Sequence, residues 1–84
     1  MTRIEIYGAG GPVSDQIESF CVRMGYTHIL RNVAEDPQSM KELRERSSGP
    51  VLALPAVFIG SYEFDRATDL INMQPFKVQQ LIGE

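Results

Sequence analysis

Between Ile4 and Met24 the apolar residues change their spacing from every second position to every third or fourth, with Gly8-Ala9-Gly10-Gly11-Pro12 at the switch. Arg3 to Tyr7 sets Ile4 and Ile6 against Arg3 and Glu5, the pattern of a strand with one buried face. Val13, Ile17, Phe20, Cys21 and Met24 then fall on one side of a helix, and Gly25 supplies the left-handed residue that ends it. Strand, glycine-rich turn and helix make a βα unit, and a chain of 84 residues that begins this way folds as one domain with helices over a sheet.

The remaining punctuation predicts the other elements. Tyr26 to Val33 reads as a second strand. Asp36 with Pro37 opens a helix carrying Met40 and Leu43 up to about Ser47, and Ser48-Gly49-Pro50 stops it. Ala56 to Ile59 and Tyr62-Glu63-Phe64 form a hairpin around Gly60-Ser61. Asp65 is expected to cap a short helix through Ile71, and Pro75 to open a last one carrying Phe76, Val78, Leu81 and Ile82. The order βαβαββα, with its final helical part broken at Pro75, suits a four-stranded mixed sheet flanked by helices.

Composition narrows the function classes. Net charge is -3, and the eight Lys and Arg are spread along the chain, which speaks against a nucleic-acid surface. No apolar run approaches the length that spans a bilayer, and no signal pattern opens the chain, so no membrane partner is expected and the setting reads as cytoplasmic. A single Cys forms no internal disulfide, which fits that setting.

Several stretches together resemble the glutaredoxin family of the thioredoxin superfamily. Gly11-Pro12-Val13-Ser14 stands where the family carries Cys-Pro-x-Cys, after Ile4-Glu5-Ile6-Tyr7, which is similar to its first strand. Counting three, six and seven positions from Ser14 gives Ile17, Phe20 and Cys21, where the family's helix is apolar, and Gly25 falls on its terminal Gly. The loop after Tyr7 is one residue shorter, so an ungapped alignment puts Pro12 and Asp15 at the thiol positions instead. Asn32 to Pro37, followed by Met40 and Leu43, is similar to the second strand and the start of the second helix. Ala53-Leu54-Pro55-Ala56-Val57-Phe58-Ile59 resembles Thr-Val-Pro-Gln-Val-Phe-Ile, whose Pro is cis in the family. From Phe58 to Leu70 the register runs without a gap, with Asp65 and Arg66 on the family's Gly-Gly pair. The resemblance implies a glutaredoxin-type thioredoxin-like fold over residues 1–84.

It also implies a lost chemistry. A thiolate at a helix N-terminus is acidified by exposed amides and the helix dipole, but Gly11 has no side chain and Ser14 lacks a neighbouring base, because the only His is His28 in the second strand. Ser14 reads as an N-cap or first-turn residue. Cys21 lies two turns into the helix and reads as core. Gly8-Ala9-Gly10-Gly11 partly matches a dinucleotide fingerprint, but Val13 takes the third glycine position and the domain is too short for two nucleotide-binding halves. His28 has no second ligand at metal spacing. The run Lys41 to Arg46 reads first as a solvated helix face.

In the family, glutathione lies in a groove, so the expected groove residues are Tyr7, Gly10, Leu54, Pro55, Asp65, Arg66, Ala67 and Thr68. The family's groove Lys is Ala9 here, and Asp65 and Arg66 add bulk where glycines leave room. Glutathione binding is therefore expected to be weak or absent, with no cofactor and no metal. The expected function is a redox-inactive, glutaredoxin-like module whose cis-Pro edge groove, with the glycine turn and nearby Phe64 or Tyr62, binds a partner protein that the sequence does not identify. The alternative is residual thiol-disulfide or glutathione chemistry through Cys21.

Overall fold

The computed structural model describes residues 2–50 and 54–83. Its elements are β1 (Ile4–Gly8), α1 (Pro12–Met24), β2 (His28–Asn32), α2 (Pro37–Arg46), β3 (Ala56–Ile59), β4 (Tyr62–Glu63), α3 (Asp69–Asn72) and α4 (Pro75–Gly83). They form one mixed sheet in the order β2-β1-β3-β4. β1 and β2 run parallel with Ile6 opposite Leu30, while β3 pairs antiparallel with both β1 and β4. Parallel β1 and β2 need a crossover, and α1 provides it. Among the described residues no helix is long and apolar enough to cross a membrane.

The alternation along β1 and β3 separates two cores. Ile4, Ile6, Val57 and Ile59 point to one side of the sheet, where α1 adds Ile17, Phe20 and Cys21, α3 adds Leu70, and α4 adds Val78 and Ile82. Tyr7 and Phe58 point to the other, where α2 adds Leu43. Tyr7 meets Phe58 edge-on, with ring centroids 5.7 Å apart.

Arg46, in the last turn of α2, closes that smaller face. Its guanidinium lies 4.4 Å from the centre of the Phe58 ring. It donates to the Tyr7 hydroxyl (3.0 Å) and the Gly60 carbonyl (2.6 Å), and pairs with Glu5 at 2.8 Å. Burial works against the charge, but the hydrogen bonds to Tyr7 and Glu5 outweigh it and raise the pKa of Arg46. Glu5 also pairs with Arg31 (3.6 Å), which reaches Glu42 at 4.0 Å. Part of the Lys41–Arg46 run is thus the polar lid of a core rather than a solvated face.

Most helix ends follow the chemistry of their residues. The Asp36 carboxylate accepts from the Gln38 amide (3.1 Å) and the Ser39 hydroxyl (2.8 Å), capping α2. Gly25 takes φ 73° and passes the chain back so that the Tyr26 amide reaches the Cys21 carbonyl.

Four expectations need correction. The second strand is shorter than Tyr26 to Val33, because Tyr26 belongs to the helix-ending turn and the Asn32 side chain accepts from the amides of Ala34 and Glu35. Val13 is 41% exposed while Ser14 is 2% exposed, so the buried stripe of α1 runs through Ser14, Ile17 and Cys21, with Val13 and Met24 on its rim. Asp65 caps no helix: α3 starts at Asp69, whose carboxylate accepts from the Arg66 amide. Phe76 is 68% exposed, since Val78 and Ile82 set the buried face of α4 and Phe76 lies most of the way round from Val78.

Candidate functional site

The start of α1 and the segment before β3 meet at one end of the sheet. Gly10 and Gly11 precede the helix with φ 87° and 100°, a region that L side chains rarely adopt. Gly11 is the N-cap, offers no side-chain cap, and is followed by Pro12 at the first helical position. On the facing side the Leu54-Pro55 peptide bond is cis. Ala53, the first residue of the stretch that resembles the family's, lies outside the described residues.

Between these segments lies a cleft of about 290 Å³. Val13, Leu54, Pro55, Ala56, Phe64 and Ala67 give it an apolar lining, and Asp65, Arg66 and Thr68 stand along one wall. Val13 and Leu54 are both large apolar residues left exposed. Phe64 is fixed edge-on to Tyr62 with centroids 5.0 Å apart. Glu63, on the same wall, is held by the Ser48 hydroxyl at 2.7 Å, which ties the hairpin to the end of α2.

Of the expected groove residues, Leu54, Pro55, Asp65, Arg66, Ala67 and Thr68 line the cleft, and so does Val13 from the Gly11–Ser14 stretch. Tyr7 does not. It is buried on the α2 side of the sheet with its hydroxyl held by Arg46, because it follows Ile6 in a strand and so points the opposite way. Gly10, Gly11 and Pro12 are exposed beside the cleft without lining it. Ser14 is turned inward: a Cβ placed on Gly8 would lie 2.6 Å from its Oγ, and that oxygen has no hydrogen-bond partner among the described residues. Sequence reasoning missed Ala56 as a site-lining position, although it flanks Pro55; of the two nearby aromatics it pointed to, Phe64 lines the cleft and Tyr62 does not.

The cleft holds no thiol. Cys21 is fully buried in the larger core. Burial, with a smaller contribution from Glu18, pushes its pKa from 9.0 up to about 11, so the thiol is protonated at neutral pH and closed to solvent. His28 sits on β2, across the sheet from β3 and β4, with Nδ1 3.0 Å from the Tyr26 carbonyl, so it cannot serve Ser14 as a base. Among the described residues no three His, Cys, Asp or Glu side chains come together as a metal site. What remains is a cleft with an apolar lining and two carboxylates, Glu63 and Asp65, beside one guanidinium, Arg66. No protein-family model matches the chain, and no curated protein matches it.

Proposed function

We propose that this chain is a glutaredoxin-like domain of the thioredoxin superfamily that has lost its thiols and keeps the groove beside Pro55 to bind an extended segment of a partner protein. The observation that carries the reading is the apolar cleft where α1 starts against Leu54 and Pro55, with its only nearby thiol sealed in the core. The sheet order β2-β1-β3-β4, with one parallel pair and a helix between its strands, suits that superfamily. The net charge of -3 makes a protein a better partner than nucleic acid or a membrane surface. A lone Cys suits a cytoplasmic chain.

The test is an amide NMR titration with peptides selected from a random display library on the folded domain, beside one with oxidised and reduced glutathione. The selected peptides are expected to give saturable shifts at Leu54 and Asp65 to Thr68, and Val13→Asp to weaken them at least about tenfold. Peptide shifts confined to other surfaces would overturn the groove assignment. Saturable glutathione shifts in the cleft, or a mixed disulfide on Cys21 in the folded protein, would return the chain to thiol chemistry.

A further inference from the structure

We propose that the free edge of β2 pairs with the same edge of a second copy of this chain, antiparallel and centred on Leu30, to join the two sheets through a two-fold axis.

The backbone bonds show which groups are free. The Ile4 amide donates to Thr27 and the Val33 amide donates to Gly8, so in this parallel pair the odd-numbered residues of β2 bond to β1. The amides and carbonyls of His28 and Leu30 therefore face outward from the sheet, and so does the Asn32 amide. The Asn32 carbonyl faces the same way but already accepts from the Asp36 amide.

The two edges of the sheet differ. β4 is two residues long, and its Glu63 is held by Ser48. β2 is five residues, without Pro or Lys, and its central Leu30 is 39% exposed. Short strands and inward or edge charges are how proteins block strand addition; β2 has neither Pro nor Lys, and its one charge, Arg31, is already paired with Glu5 and Glu42 of its own chain.

Its pattern fits itself better than a foreign strand. A two-fold axis through Leu30 sets Leu30 opposite Leu30, where the pair exchanges both of its bonds, and sets His28 opposite Asn32, where the Asn32 amide meets the His28 carbonyl. On the other sheet face Arg31 falls opposite Ile29, so no like charges meet, and each Arg31 already has Glu5 and Glu42 beside it. The cleft lies toward β3 and β4, so it stays open in the dimer.

A five-residue edge buries little beside the ~1,600 Å² of a stable interface. Association is accordingly expected near about 100 μM. Sedimentation equilibrium from about 1 μM to about 1 mM, with amide exchange at both ends of that range, tests it. Self-association with protection of the Leu30 amide that rises with concentration, lost at least about tenfold in Leu30→Lys while the circular dichroism is unchanged, is the expected result. A chain that stays monomeric throughout overturns the proposal. So does a dimer whose Leu30 amide exchanges as fast as in the dilute protein, a reading that needs no variant.

Discussion

The two faces of the sheet are closed by different means. On the Ile4 and Ile6 face, helices α1, α3 and α4 bring apolar side chains and one thiol into a continuous core, with Ser14 at the start of α1 as the buried polar exception. On the Tyr7 and Phe58 face a single helix supplies Leu43, and the rest is closed by a guanidinium laid over two aromatic rings and bonded to Glu5, Tyr7 and Gly60. A wide face covered by three helices needs no polar closure. A narrow one covered by ten residues of α2 leaves ring edges open, and an Arg stem with a well-bonded head covers them.

If the first face is held by packing alone, Leu70→Ala removes a fully buried side chain and is expected to lower stability by about 2–5 kcal/mol in urea unfolding. A loss under about 1 kcal/mol would mean that α3 is loosely docked. The second face should respond to charge. Arg46→Ala removes the side-chain donor to the Gly60 carbonyl and the Tyr7 hydroxyl and leaves Glu5 with Arg31 as its remaining cation, and should cost about 2 kcal/mol. Arg46→Met keeps the stem over Phe58 and should recover part of that loss. Equal losses for Met and Ala would show that the bonds, and not the stacking, hold the lid.

The smallest effect at neutral pH sharpens the comparison through Cys21. Its folded pKa is raised, so the folded state keeps the proton longer than the unfolded chain does. The stability this contributes is fully present below about pH 9 and is lost as pH rises through about 11. A fall of up to about 3 kcal/mol across that window is expected, and this contribution should vanish in Cys21→Ala. At neutral pH, Ellman's reagent should leave the native thiol untouched and react on unfolding.

Period and punctuation made the strands and the longer helices readable. Asp36-Pro37, Gly25, Gly60-Ser61 and Pro75 all stand at the junctions they suggest. Side-chain direction at element ends was harder to read. Val13 and Phe20 lie seven residues apart along one line of α1, and Ser14 and Cys21 along the next; the helix is rolled so that the second line faces the sheet. The polar name of Ser14 hid this. Arg46 sits three residues after Leu43, on the same side of α2, and that spacing was the available sign that it faces inward. Its bonds to Tyr7 and Gly60 join positions 39 and 14 residues apart, which no local pattern announces.

The turn before α1 limits what substitution can restore. Residue 11 has a backbone that disfavours any side chain, and residue 14 is packed against residue 8 with no room for a Cβ there. A cysteine introduced at 11 would first have to move the main chain, and one at 14 would enter a closed space beside Gly8. Redox activity at this turn would therefore require coordinated changes along its whole length, and single codon changes to Cys at 11 or 14 are expected to yield folded proteins that remain catalytically silent.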